Sequence, residues 1–577
     1  MPWTPGRRQL ALAWAIPAGV ILLALGLLAG RFVWRPLPSQ PVFHDISFRR
    51  GAIFSGRFSG DGQVLYSARW EDQPIQIFSV QNQYPESRPA SSPSTVLLSL
   101  SRSGQMAILR DAQYLHHLEW SGTLAVMRPG GAPRDLMDNV EGADWDPTSD
   151  DIRRMAVVRQ GVRPENGKMI LEFPIGHTIY STAGWISHAR VSPNGGAVAF
   201  LDHPVINDSL GDVVVVDRAG VKKTLSTGWS AESGLAWSPD GREVWFSGAR
   251  AGTGLAIYAV TLDGRLRDLL AGPGRLVLQD VSRDGRLLVT RDSVRAMMTA
   301  SVAEGRETRE LSWLEGSREP DLSKDGKQVL FTEGGKAVGP HYAVCLRATN
   351  GSGGVVRLGE GTALGLSADG KWALAAGPGP PGKLTVIPTG GGELRTLERG
   401  NIQTYGRAGG WLPDGKHVLF TAYEAGKPER VYIQAVAEGL PQAILPPGFT
   451  AVFRAISPNG RAVACRAGGT YRICPLDSPD GNFKGGEPAP IPGLEEGEQP
   501  LRWTPDGQAL YVCDTTKLPL RIFKLETSTG QRQPSKPIKP PDIAGLASPM
   551  LAILSPDGES LIYGYTRVLS ELFIVAR

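Results

Sequence analysis

Few residues of this chain stand at a spacing that chemistry would need. Its eight histidines include one adjacent pair, His116-His117. Neighbouring residues of a strand point to opposite faces, so this pair would not hold one metal together. The four cysteines, Cys345, Cys465, Cys474 and Cys513, are too few for a disulfide scaffold. Each lies in an apolar, strand-like run, where a free thiol usually packs as a small hydrophobe. Cys465 and Cys474 flank the hairpin-like CRAGGTYRIC, and two readings stand: a cross-strand disulfide in an exported domain, or inert core thiols. GPGPPG (377–382) matches G-x-G-x-x-G in letters, but three prolines and no following helix make it a loop. SPDGREVW (238–245) superficially resembles the sialidase Asp-box, with its glycine one place early. No G-x-S-x-G, H-E-x-x-H or C-x-x-C occurs. We therefore expect no catalytic, cofactor-binding or metal-binding residue set, and no cofactor.

The carboxylates that do recur are Asp61, Asp240, Asp284, Asp325, Asp369, Asp414, Asp506 and Asp557, each inside the same phrase: apolar, Ser, Pro, Asp, Gly, then an apolar run. Good copies are WSPDGREVWF from Trp237, WLPDGKHVLF from Trp411, WTPDGQALYV from Trp503 and LSPDGESLIY from Leu554. LSRSGQMAI from Leu100 and WDPTSDDIRRMAVV from Trp145 are worn copies. The turn glycines (62, 104, 195, 241, 285, 326, 370, 415, 460, 507 and 558), with the Trp145 copy filling one gap, fall 41 to 51 residues apart and make twelve repeats. Shared spacing assigns the aspartates to turn chemistry, and the shared place of Trp237, Trp411 and Trp503 assigns those rings to packing. Asp-Gly or Asn-Gly in ten of the twelve turns predicts two-residue hairpins with positive φ at the centre. The consecutive apolar residues after the turn, as in Val244-Trp245-Phe246, predict strands covered on both faces.

Four strand signals fit each repeat; in one they are 235–238, 243–247, 256–260 and 266–270. Four strands in about 45 residues make one propeller blade. The fold class is all-β: about twelve four-stranded blades, more than one ring usually holds, hence two β-propellers of roughly six blades. Residues 43–312 are expected to form the first group of blades and 313–577 the second. The last repeat stops at its third strand, Glu571 to Val575, while HDISFRRG (44–51) precedes the first hairpin as an orphan fourth. Residues 44–50 could close the last blade, so that one ring holds both ends and the other is inserted.

Ahead of the repeats, Leu10 to Gly30 (LALAWAIPAGVILLALGLLAG) is uncharged over 21 residues, enough to span a bilayer as a helix. Arg7 and Arg8 before it place a tail, 1–9, in the cytoplasm and send the rest across, after a spacer over 31–42. The run is long for a signal peptide and no clear A-x-A site follows, so an uncleaved anchor in the cell (inner) membrane is expected, with the C-terminal bulk periplasmic or extracellular. The chain has 577 residues, 41% hydrophobic and 20% charged, with 71 Gly and 45 Pro. Its net charge of +4 is more than matched by six arginines near the N-terminus, leaving the repeats near neutral and without a nucleic-acid footprint.

The hairpin phrases resemble the PD40 (WD40-like) repeats of TolB-type propellers, over about 43–577. The segment 45–80 (DISFRRGAIFSGRFSGDGQVLYSARWEDQPIQIFSV) and the ending YGYTRVLSELFIVAR are similar to the extracytoplasmic half of membrane-bound bacterial serine/threonine kinases of the acidobacterial type. The Gly-rich loop, strand Lys, H-R-D and D-F-G of a kinase are absent, so no kinase residue carries over. The resemblance implies a sensor or scaffold module that binds a ligand or another envelope protein, non-enzymatic, through loops around a central channel. The alternative is an exported hydrolase or lyase with a loop-built active site. Several carboxylates or histidines converging in a deep pocket would favour the enzyme, and a broad mixed rim would favour protein binding.

Overall fold

The computed structural model describes residues 41–576 apart from short stretches: 72, 82–83, 116–118, 161–167, 205–207, 253, 302–307, 340, 378–380, 478–482, 515–519, 535–536, 539, 541, 548–550, 556–557 and 559. The anchor at 10–30, its tail and its spacer up to residue 40 lie outside these, as do His116-His117, Asp557 and the middle of GPGPPG. Among the described residues no helix is long and apolar enough to cross a membrane.

The architecture is all-β and propeller-like: among the described residues seven of ten antiparallel sheets have four strands, and Arg134–Asp144 joins two successive repeats into one sheet of seven. In the repeat around Trp237 the strands are Ala231–Trp237, Glu243–Ala249, Ala256–Thr261 and Leu266–Leu270, close to the sequence reading. Val244, Trp245 and Phe246 are all buried, as a strand between stacked sheets must be.

The repeated turn works differently from a two-residue hairpin. Gly241 N–H donates to Ser238 O at 2.9 Å, making Ser-Pro-Asp-Gly a four-residue turn in which glycine alone has positive φ, +69°. The aspartate has ordinary φ and acts through its side chain. Asp240 Oδ1 accepts from Ser238 Oγ at 2.6 Å and from Arg242 N–H at 3.1 Å, while Glu243 N–H donates back to Ser238 Oγ at 3.0 Å. Gly326, Gly370, Gly415, Gly460 and Gly507 repeat the backbone geometry. Two of the three shared tryptophans do more than pack: Trp237 Nε1 donates to Arg190 O at 3.0 Å and Trp503 Nε1 to Ala455 O at 2.9 Å, each tying its sheet to the preceding one, while Trp411 Nε1 makes no such bond.

One strand from each repeat touches the corresponding strand of the next, in two closed cycles. One runs through Gly51–Phe58, Val96–Leu100, Arg134–Asp144, Trp185–Val191, Ala231–Trp237 and Arg275–Val281 and returns to the start. The other runs through Arg318–Leu322, Thr362–Leu366, Ile402–Trp411, Thr450–Ile456, Gln499–Trp503 and Leu551–Leu554, and likewise returns. Two long strands belong to both cycles. Leu287–Ser301 and Leu561–Ala576 pair antiparallel without interruption, from Leu287 opposite Val575 to Ser301 opposite Leu561. At one end they complete the sheet begun by Arg275–Val281, whose outermost strand is Val42–Asp45. At the other they complete the sheet begun by Leu551–Leu554.

The N-terminal strand therefore does pair with the chain's last strand, Val42 opposite Ala576 and Asp45 opposite Phe573. Two details differ from the sequence reading. The paired residues are 42–45 rather than 44–50, and the sheet they finish is the one begun at Arg275, not the one holding the last hairpin. The cause is that 561–576 contains no turn, so it runs on through one sheet into the next as a single strand.

Cys465 and Cys474, on adjacent strands, are joined by a disulfide with Cα atoms 6.3 Å apart, while Cys345 and Cys513 are buried free thiols.

Candidate functional site

The first cycle encloses a channel whose lining is set by a repeated irregularity. Each of the first strands carrying Ile53, Leu97, Ser187, Ser233 and Leu278 slips register against its neighbour there, forming a β-bulge. A bulge re-aims the side chains beside it. His188 sits in one with φ +53°.

Two residues before each turn, the six strands present Arg57, Ser99, Asp144, Arg190, Ala236 and Asp280. Like faces like three strands on, so the two arginines and the two aspartates each form a pair across the cycle. The aspartates are tied to backbone of the next sheet: Val191 N–H donates to Asp144 Oδ2 and Phe58 N–H to Asp280 Oδ2, both at 2.8 Å. Burial raises the pKa of both carboxyls. Arg57 is only 8% exposed; its Nη1 donates to Gly56 O at 2.6 Å and Gln279 O at 2.9 Å, and its Nε has no partner. Burial and then the charge of Arg190 lower Arg57 to about 9.

Against this layer lies a pocket of about 80 Å³, bordered by Arg57, Arg190, Glu119, Glu141, His188 and Gln279, with Phe54 and Trp120 as apolar walls. Glu119 is raised to about 8 by burial and by Glu141, and Glu141 to about 7 by burial. His188 is held well below its ordinary range by burial and by Arg190. A hydrogen-bonded chain leads outward. His203 Nδ1–H donates to Leu210 O at 2.9 Å, which leaves His203 Nε2 to accept from Ser187 Oγ–H at 2.9 Å; Ser187 Oγ in turn accepts from His188 Nδ1–H at 2.9 Å. Glu119 Oε1 stands 3.5 Å from His188 Nδ1.

A second, far larger space lies between the two cycles, along the middle of the shared strands. This cleft has a volume of about 1690 Å³. Its wall on the shared strands carries the ion pair Arg291–Glu571 (Nε to Oε2, 2.7 Å) and Asp292, which burial raises to about 6. Phe48, 70% exposed, and Trp313, 38% exposed, both border it, with Arg49 and Arg50 next to Phe48 in the chain.

Several contacts among the described residues bridge the cycles, and the most buried is polar. Asp208, from the first cycle, accepts from Tyr342 Oη at 3.0 Å and lies 3.4 Å from Arg407 Nη2; Arg407 Nη1 is 3.1 Å from Glu319. Trp185 Nε1 donates to Asp208 O at 2.9 Å and fixes the loop. Burial lowers the Arg407 pKa, but Glu319, Tyr342 and Asp208 more than reverse this, so its charge is held firmly. A third carboxylate, Asp542, takes Arg50 from the cleft's edge at 3.0 Å.

Of the recurring aspartates, Asp61, Asp240, Asp284, Asp325, Asp369, Asp414 and Asp506 are placed in turns, away from the channel layer. SPDGREVW is an ordinary hairpin, and Gly377 N–H, at the start of GPGPPG, donates to Lys383 O at 2.7 Å. Sequence reading singled out none of Arg57, Arg190, Glu119, Glu141, His188, Asp208 or Arg407. A signal existed for the first two, since a charged residue two places before the turn interrupts an apolar strand. Among the described residues no group of three His, Cys, Asp or Glu is placed to hold a metal.

No family model matches the sequence, and no curated relative does. The chain is similar to several solved structures. A putative TolB from Agrobacterium tumefaciens is 18% identical, with 48% of this chain and 99% of that one covered and a TM-score of 0.35. TolB from Acinetobacter baumannii is 17% identical over 60% of this chain and 80% of that one, with a TM-score of 0.26. The tricorn protease is 14% identical over 90% and 57%, with a TM-score of 0.29. The description of the fold stands on the chain's own sheet pairing and not on these likenesses.

Proposed function

We propose that this chain is a pair of six-bladed propellers, held at the outer side of a membrane by residues 10–30, that binds another protein of the cell envelope in the cleft between its rings. The observation that carries this reading is the cleft: wide, open, of mixed charge, and edged by two exposed aromatics and two arginines. Aromatic and arginine side chains at the centre of a polar rim are the composition of protein-binding hot spots. The two closed cycles of strands support the division into rings, and the long shared strands make the second ring an insertion in the first.

The reading is tested by affinity capture from detergent-solubilised membranes with the full chain and with Phe48→Glu and Trp313→Glu. A partner captured by the parent and lost from both variants is the expected result. A partner retained by both would remove the cleft from the interaction.

A second reading, an exported hydrolase, draws on Ser187, whose hydroxyl donates to an imidazole. Ser187 is itself buried, and the adjoining pocket is too small for a polymeric substrate, so we rank it second.

A further inference from the structure

We propose that the channel of the first ring binds a small zwitterion of the amino-acid type, its carboxylate on Arg57 and Arg190 and its ammonium on Glu119 and Glu141. Both poles border one pocket, and each arginine spends only its Nη1 on structural contacts, with the backbone oxygens of Gly56 and Gln279 for Arg57 and of Ala189 for Arg190. Asp144 and Asp280 are committed to the backbone of the next sheet. Arg57 and Arg190 form no ion pair among the described residues. Each has an Nε without a hydrogen-bond partner, although Arg57 is more than nine-tenths buried and borders the pocket. A guanidinium so placed offers the paired N–H geometry that a carboxylate matches.

Glu119 and Glu141 line the same pocket, burial raises both, and Glu141 further destabilises the ionised form of Glu119, a cost that an ammonium group between them would relieve. Phe54 and Trp120, whose rings meet edge to face at 5.1 Å, close the side of the pocket and limit what the ligand can carry between its poles. A volume of about 80 Å³ is roughly that of two to three waters, room for on the order of five heavy atoms. Both requirements exclude a long or branched ligand.

The test is calorimetric titration of the full chain in detergent with glycine, acetate and methylammonium at matched ionic strength. Glycine is expected to bind at least tenfold more tightly than either single-charge probe. Arg190→Gln should abolish binding, and Glu141→Gln should bring glycine down to the affinity of acetate. Equal affinity for glycine and acetate would overturn the proposal, as would no binding of any probe or variants that bind like the parent. Circular dichroism and melting of the variants establish that they fold; if one does not, the ratio of glycine to acetate on the parent decides alone.

Discussion

At the scale of single residues, the repeat shows how one phrase divides labour among its letters. Serine and aspartate close the turn through side chains, and glycine alone supplies the left-handed backbone. Gly415 has φ +65° and open space where a Cβ would go, so Gly415→Val should cost about 1–3 kcal/mol through backbone strain alone. Gly234 has φ +69° and in addition backbone Leu278 O only 2.3 Å from a would-be Cβ, so Gly234→Ala should cost more than Gly415→Ala. Equal melting temperatures of the two alanine variants would contradict this. Residue-scale electrostatics makes a second prediction. With Glu119 raised to about 8 and Glu141 to about 7, the folded chain keeps protons that the unfolded chain releases above its ordinary carboxyl range. The stability they contribute is present in mild acid and is lost as pH rises through about 7 to 8, by about 1.4 kcal/mol per pH unit for each proton held. Melting should therefore fall between about pH 5.5 and pH 8.5, and the double variant Glu119→Gln, Glu141→Gln should flatten that slope; an unchanged slope would place its origin elsewhere.

At the scale of strands and sheets, most of the architecture was legible. The period, the four strands of a repeat and the doubly covered second strand all follow from turn glycines and apolar runs. The orphan N-terminal strand was legible too, since no hairpin partner for it lies nearby. What could not be read was where it goes. A strand's apolar pattern states that it is buried, not which sheet covers it, and Leu561–Ala576 reads as one repeat's ending although it serves two sheets. The channel residues were hidden for a related reason: His188 owes its aim to a bulge, and Glu119 to a hairpin tip, neither of which has a periodic signature. The pairing itself can be checked. Val42→Cys with Ala576→Cys should crosslink on oxidation, because these residues are register partners, whereas Val42→Cys with an exposed cysteine at Leu440 should not. Crosslinking of neither pair would refute the closure, and deletion of 42–45 should expose Phe573, now packed edge to face on Phe43 at 5.6 Å, and promote aggregation.

At the scale of the whole molecule, a two-stranded ribbon common to both cycles sets their relation, with Asp208 reaching across to Tyr342 and Arg407 on one side and Arg50 on Asp542 and Arg69 on Leu546 O as further ties. A ribbon of two strands resists twisting far less than a packed sheet, so the Asp208 contact should limit how widely the cleft opens. Spin labels at exposed Val221 and Val356, one in each ring, should show a broader distance distribution in Asp208→Ala than in the parent. An unchanged distribution would mean that the ribbon and the other ties hold the geometry without it. The same ribbon bears on the order of synthesis. Residues 42–45 leave the ribosome early, yet the strand they pair with is made last, after the entire second ring. Until Phe573 to Ala576 emerge, the first ring lacks two strands of one blade and remains an open stack with exposed edges. If the chain is threaded across a membrane as it is made, its first half must wait on the far side, unfinished, for the roughly 270 residues between Ser301 and Phe573 to pass, and a helper that shields strand edges would be needed most during that interval.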